Sequence, residues 1–144
     1  ATNEGADDTA WGAAGQFDSQ KSVEWATRIT TGGTITTYAI WAGLKLTNVP
    51  AYATDADQAY FVFATDDGPA GALTSNANLH FVHSIGGTDY ISDLGIAVAA
   101  DTTYNLKIAI GSNRKASIFV NGTQYSPTTA TTAGVHYQKI STAC

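Results

Sequence analysis

Residues 114–125 read RKASIFVNGTQY, a strand pattern that stops at Asn121-Gly122 and resumes directly after it. Before the stop, apolar and polar side chains alternate, which is the pattern of a strand with one buried face. Asn-Gly is the preferred pair for a two-residue type I′ turn, because both central positions of that turn need positive φ. The stretch therefore predicts a tight antiparallel hairpin.

The same period of two recurs on both sides of this hairpin. Strands are predicted at 22–30, 34–47, 59–66, 79–85, 88–98, 103–111, 115–122 and 135–141. Turn signals rich in Gly, Asp and Asn separate most of them, and no amphipathic helix pattern occurs. Gly43 interrupts the longest predicted strand, which predicts a bulge or bend at that point. Short alternating strands at this spacing predict an all-β antiparallel sandwich or barrel.

The composition is typical of one folded domain with a weakly charged surface. A chain of 144 residues, 44% of them hydrophobic, is long and apolar enough to bury a core. Charged residues make up only 13%, well below the usual quarter. We expect residues 1–144 to form a single domain, with an acidic, glycine-rich N-terminal arm at 1–20 and a flexible connector at 126–134.

Charge and cysteine content argue against several classes of partner. The net charge is −5 and the seven basic residues are scattered, so no basic patch for a phosphate backbone is expected. No apolar run approaches the ~20 residues that cross a bilayer, and no signal-peptide pattern is present. The single cysteine, Cys144, permits neither an intrachain disulfide nor a thiolate metal cage. We therefore expect no nucleic-acid or membrane partner.

The order of the predicted strands resembles the concanavalin A-like, laminin-G-type jelly roll over roughly residues 22–125. The runs that carry this resemblance are IWAGLKLTN (40–48), YFVF (60–63), LHFVHSIGGTD (79–89), NLKIAI (105–110) and IFVNGTQ (118–124). It implies an antiparallel jelly-roll β-sandwich of the lectin and glucanase type. Within that family, the runs look most similar to structural proteins of tailed bacteriophages, which implies a location in the virion.

The resemblance also implies how the sandwich closes. Such folds bring the last strand back beside the first, and residues 126–144 hold barely one strand for that purpose. If the jelly roll closes, residues 135–141 must pair near residues 22–28. Otherwise, an open sheet edge remains for a neighbouring subunit to cover.

Glycoside hydrolysis, which occurs among related jelly rolls, needs two carboxyl groups that face each other across a cleft. In that family they typically follow an E-x-D-x-x-E pattern on one strand, and this pattern is absent from the sequence. The only glutamates are Glu4 and Glu24, and Glu24 has no carboxylate two or four positions later. We therefore predict no catalytic residues and no enzymatic activity.

Four residues are candidates for binding a ligand. Asp55 and Asp57, in the run TDAD before a strand, could supply hard oxygen ligands to Ca²⁺, although Asp is also common in ordinary turns. No other cofactor is implied. Tyr52 and Tyr90 lie near loops and are the aromatic residues best placed to stack on a sugar ring.

The histidines do not form a joint site in this prediction. His80 and His83 are three positions apart on a predicted strand, so their side chains point to opposite faces of the sheet and cannot bind one metal ion. We expect both to be structural or surface residues.

Together, these features predict a non-enzymatic structural or decoration subunit of a phage virion, placed on the head, in a fibre or near the tail. Such a subunit acts by self-association, as a homo-oligomer, and by docking to other virion proteins. Two alternatives stay open. One is a carbohydrate-binding, lectin-like module that contacts a cell-surface glycan, and the other is an exported, extracellular adhesin or filament subunit.

Overall fold

A computed structural model describes residues 22–36, 38–45, 55–65, 77–112, 115–127 and 141–143. The strands are β1 (Val23–Thr30), β2 (Ala39–Lys45), β3 (Gln58–Ala64), β4 (Asn78–Ile85), β5 (Thr88–Ala97), β6 (Thr103–Ile110), β7 (Ala116–Val120), β8 (Thr123–Tyr125) and β9 (Ser141–Ala143). None of the described ranges contains a helix that is long and apolar enough to span a membrane. The predicted arm at 1–20 and residues 128–134 of the predicted connector lie outside these ranges.

The strands form two antiparallel sheets. One sheet has four strands in the order β1-β6-β7-β8, and the other has five in the order β5-β4-β3-β2-β9. Every described pair is antiparallel. The prediction of an all-β antiparallel sandwich is confirmed.

The main core lies between the two sheets. Strands β6 and β7 alternate buried and partly exposed residues, as a strand with one core face must. The largest buried apolar side chains of this core are Leu44, Phe61, Phe63, Phe81, Leu106, Ile108, Ile110 and Ile118. Phe61 and Phe81 meet edge to face with their ring centroids 5.4 Å apart, a favoured aromatic geometry.

The Asn-Gly hairpin forms as predicted between β7 and β8. Asn121 and Gly122 have φ values of 51° and 81°, and Val120 pairs with Thr123 across the turn. The turn is also fixed to β6. The N–H of Asn121 donates to the carbonyl of Asn105 at 2.8 Å, and the N–H of Asn105 donates to Oδ1 of Asn121 at 2.8 Å.

The bulge predicted at Gly43 is wrong. The register between β2 and β3 runs unbroken from Ala39 to Leu44. Glycine is required there because β3 approaches closely, since a Cβ on Gly43 would lie 2.5 Å from the Cα of Tyr60. An irregularity in register occurs instead between β4 and β5, where Gly95 adopts a φ of 67°.

Two alternatives were open for the C-terminal segment, and its described residues do not lie beside the first strand. Strand β9 pairs with β2, so that Gly43 lies opposite Ala143 and Lys45 opposite Ser141. Because β1 and β2 belong to different sheets, this pairing extends the five-stranded sheet, and among the described strands β1 lies at the edge of the other. Residues 135–140 of the predicted strand lie outside the described ranges.

Candidate functional site

The outer face of the five-stranded sheet is the face turned away from the main core, and its centre is buried. Strand β3 is buried along its whole length, which means that the sheet is covered on both faces at this strand. The apolar cluster on the outer face consists of Tyr60, Val62 and Val82, with Trp41 and Ile91 packed against it. The centre of this face is therefore not an open platform for stacking a sugar.

A row of polar side chains crosses this outer face, and we call it the polar row: Asp55, Lys45, Gln58, Ser84 and Asp89. Nζ of Lys45 lies 3.2 Å from Oδ2 of Asp55 and also donates to Oε1 of Gln58. Nε2 of Gln58 donates to Oγ of Ser84 at 2.6 Å, and that hydroxyl donates to Oδ1 of Asp89 at 2.5 Å. The register brings the row together, because Gln58 lies opposite Ser84 and Ser84 opposite Asp89.

Within the polar row, Lys45 has a high desolvation cost, because its charged side chain is 0% exposed. Burial lowers the pKa of its ammonium group, and the carboxylate of Asp55 acts in the opposite direction. The ammonium nitrogen also lies 4.6 Å from the ring centroid of Tyr60, within the range of a cation–π contact. A buried charge is tolerated only when it is paired in this way. The geometry makes the row a structural connection between strands.

The two candidate calcium ligands both have protein partners. Asp55 pairs with Lys45, and its side chain is only 1% exposed. Oδ1 of Asp57 accepts from the backbone N–H of Gly86 at 3.2 Å. Within the described part of the chain, no group of three or more His, Cys, Asp or Glu side chains converges to hold a metal ion. A Ca²⁺ site at these two residues stays a prediction.

The two tyrosines predicted to bind a ligand are not brought together by the described structure. Tyr52 lies outside the described ranges. Tyr90 is half-buried, and its ring stacks on His83 with the centroids 4.9 Å apart and an interplanar angle of 15°. One face of the Tyr90 ring is therefore already occupied, which leaves at most the other face for a sugar.

The histidines of β4 lie on opposite faces, as predicted. His83 lies on the core face beside Phe81, with ring centroids 5.8 Å apart. His80 lies on the outer face, where its Nδ1 donates to the carbonyl of Asn78 at 2.8 Å. Its Nε2 is 4.0 Å from Oδ2 of Asp93, too far for a hydrogen bond. No joint metal site is formed by this pair.

Strand β1 provides a second candidate site, because it is the outer strand of the four-stranded sheet. Its described pairing is with β6 alone. Its burial alternates strictly along eight residues, with the even-numbered side chains exposed. Unpaired backbone groups on such an edge can bind another chain by adding a strand.

A groove of about 350 Å³ lies between β1 and β2. Trp25 and Ile29 line it from β1, and Tyr38 and Trp41 line it from the other sheet. All four side chains are only half-buried. The groove is therefore an apolar and aromatic surface directly beside the open edge of β1.

Sequence reasoning missed both the polar row and the edge role of β1. Lys45 and Gln58 resemble surface residues of an alternating strand. The available signal was the run AYFVFA at 59–64, which is continuously apolar, as expected for a strand covered on both faces. For β1, the pairing order between sheets decides which strand lies at the edge, and no local pattern encodes it.

Comparisons with known proteins bear on the fold. No family model matches this chain, and no curated protein matches it. Among solved structures, it is similar to domains LG4-5 of the mouse laminin alpha1 chain, with 14% sequence identity and a TM-score of 0.53. The similarity covers 88% of this chain but only 28% of that chain's length. It shows the fold, which is an antiparallel β-sandwich of the laminin-G, concanavalin A-like jelly-roll type.

Proposed function

We propose that the protein is a non-enzymatic structural or decoration subunit of a phage virion. In this role it docks the edges and faces of its sandwich onto neighbouring subunits, including further copies of itself. The observation that carries the proposal is the open edge of β1, with only β6 paired to it among the described strands. An eight-residue edge strand offers a row of backbone donors and acceptors to another chain.

The polar row supports an assembly role over a catalytic one. Its hydroxyl, amide, ammonium and carboxylate groups bind one another across the sheet. In particular, Ser84 is fully buried and its hydroxyl is held between Gln58 and Asp89, so it is not accessible to a substrate. These contacts support a role for the row in joining strands.

The virion location is supported by sequence pattern alone. Runs such as AGLKLTN at 42–48 and IFVNGT at 118–123 resemble structural proteins of tailed bacteriophages. Mass spectrometry of density-purified particles from the source of this chain tests this location. Peptides of the chain should persist at a fixed copy number through repeated banding, and their absence from intact particles would contradict the proposal.

The assembly role has its own test, which is size-exclusion chromatography with light scattering over rising protein concentration. We expect a mass above the 15.0 kDa of one chain, and the mass should rise with concentration. A strict monomer at the highest concentration would contradict self-association.

A lectin-like module is the second candidate, and the groove beside β1 favours it. Its aromatic lining by Trp25, Tyr38 and Trp41 is of the kind that stacks on sugar rings. Glycan-array binding that is lost in Trp41→Ala, Tyr52→Ala or Tyr90→Ala would support this function. An exported adhesin or filament subunit would use the same open edge, but the protein would then be found outside the cell and not in particles.

A further inference from the structure

We infer that the open edge of β1 pairs with β1 of a second copy of this chain. The two strands run antiparallel about a two-fold axis at Ala26 and join the two four-stranded sheets into one. This inference rests on the proposed function, since it names the partner of the same edge.

The backbone has the required hydrogen-bonding pattern. The N–H of Thr31 donates to the carbonyl of Thr102 at 3.0 Å, directly beyond the pair Thr30 and Thr103. Because bonding alternates along an antiparallel ladder, odd-numbered residues of β1 bond to β6 and even-numbered residues direct N–H and C=O to the open edge. Ala26 is thus an edge-facing position. With the axis at this residue, the two copies of Ala26 exchange a pair of hydrogen bonds.

The exposed side chains of the edge are self-complementary in this register. Glu24 and Arg28 lie two positions on either side of Ala26 and are both exposed. Each Glu24 therefore comes opposite Arg28 of the second copy, and the contact occurs twice. Opposite charges at directly opposed positions stabilise a strand pair. Arg28 forms no ion pair with any described residue of its own chain, whereas Glu24, 65% exposed, pairs with Nζ of Lys107 at 2.7 Å. A carboxylate has two acceptor oxygens, so Arg28 of the second copy adds a second cation to Glu24.

Other registers with the same bonding pattern lack this charge pairing, since an axis at Trp25 or Thr27 would place Glu24 and Arg28 opposite uncharged residues. An axis at Glu24 would place two glutamates opposite each other, and an axis at Arg28 would place two arginines opposite each other. Like charges in directly opposed positions are destabilising. The strand also lacks proline, which natural proteins use to protect free edges, and its two exposed charges are opposite in sign.

The core-facing side of the edge adds an apolar contact. Val23 and Ile29 are only half-buried in the single chain. The register with its axis at Ala26 brings each Val23 opposite Ile29 of the second copy. Pairing therefore covers apolar side chains at the end of the groove that the isolated chain leaves partly exposed.

A charge exchange tests the register. Analytical ultracentrifugation of the wild-type chain should show a monomer–dimer equilibrium. Arg28→Glu and Glu24→Arg should each raise the dimer Kd about tenfold or more, because each creates two like-charge contacts. The double variant Glu24→Arg/Arg28→Glu restores opposite charges and should return the Kd to near the wild-type value. Gln124→Glu, exposed on β8 at the far edge of the same sheet, is the control and should leave the Kd unchanged.

Ala26→Pro provides an independent test of the backbone contact. The N–H of Ala26 points away from β6, so proline removes an edge donor without removing a bond to β6. We expect the dimer to be lost, with a circular-dichroism spectrum and Tm close to those of the wild type. If Ala26→Pro lowers the Tm sharply, loss of the dimer in that variant is not informative. The charge-exchange variants, which leave the backbone intact, then decide whether β1 pairs with β1.

The outcomes separate this inference from the proposed function. A double variant as dissociated as the single variants, or a dimer that survives in a folded Ala26→Pro, overturns the β1 pairing. A dimer Kd that is unchanged in every β1 variant also overturns the pairing, and self-association then uses another surface. A wild-type monomer at all concentrations overturns both the pairing and self-association.

Discussion

At the scale of single residues, His83 stands out because its buried ring nitrogens lack hydrogen-bond partners among the described residues. Its side chain is fully buried on the core face of β4. Phe81, two positions earlier on β4, and Tyr90, opposite His83 on β5, both stack on its ring. Burial in these surroundings lowers the pKa of His83 from 6.5 to about 4, because the charged form loses its hydration.

We expect acid to destabilise the protein through His83. Its pKa is 6.5 in the unfolded chain and about 4 in the folded one, so the unfolded state binds the proton more tightly. Stability is retained above the unfolded value and is lost as the pH falls below it, by about 2 kcal/mol between pH 7.5 and pH 5. His83→Phe keeps a flat ring without the titrating group, so urea unfolding should show a smaller loss in this variant. Equal losses in both proteins would contradict this role.

At the scale of elements, the close contact of β2 and β3 depends on Gly43. A Cβ there would lie 2.5 Å from the Cα of Tyr60 and 2.6 Å from the carbonyl oxygen of Ala59, and neither backbone atom can rotate away. Gly43→Ala should therefore lower the free energy of unfolding by about 3 kcal/mol or more. In the control Gly122→Ala, a residue with positive φ but no atom within 4 Å, only backbone strain of about 1 kcal/mol is expected. Similar Tm shifts in the two variants would argue against a steric cause.

The elements differ in how far the sequence predicted them. For β1, alternation sufficed, because a strand with one core face must alternate, and the observed bounds differ from the prediction by one residue. The strand predicted at 34–47 begins only at Ala39. Residues 34–38 are also rich in Thr and Tyr, which favour strands, but a turn at Thr36 precedes the start of the strand. The turn at Asn121-Gly122 was predictable because few residue pairs tolerate its φ values.

At the scale of the whole molecule, the polar row ties together four strands of one sheet. Lys45→Met leaves the buried carboxylate of Asp55 without its lysine, and we expect a loss of about 3–5 kcal/mol in the free energy of unfolding. The double variant Lys45→Met/Asp55→Leu removes both charges and should recover a substantial part of that loss. Urea unfolding of the single and double variants gives the coupling energy between the two residues. Additive losses, with no coupling, would mean that the ion pair contributes nothing beyond its separate parts.

The candidate sites were the least predictable part at this scale. Asp55 and Asp57 were predicted as oxygen ligands from the run TDAD before a strand, but their partners, Lys45 and Gly86, come from other parts of the chain. Lys45 is 10 positions from Asp55, and Gly86 is 29 from Asp57. Which residues meet across a sheet depends on strand order, and the alternation of one strand says nothing about its neighbours. The fold class thus followed from local pattern, while the sites needed the assembled sheets.

The pairing of β1 with β6 has a consequence for synthesis on the ribosome. Thr30 contacts Thr103, which is 73 positions later in the chain. Strand β1 therefore cannot pair until β6 has been synthesised. The hairpins formed by β6, β7 and β8 close over short loops, so they can form soon after these strands are synthesised. Consequently β1 should be inserted late in folding, and nascent chains that end before Thr103 should carry it as an unprotected extended segment. Ribosome-stalled chains of increasing length should therefore gain protease resistance at residues 23–30 only once β6 has left the exit tunnel.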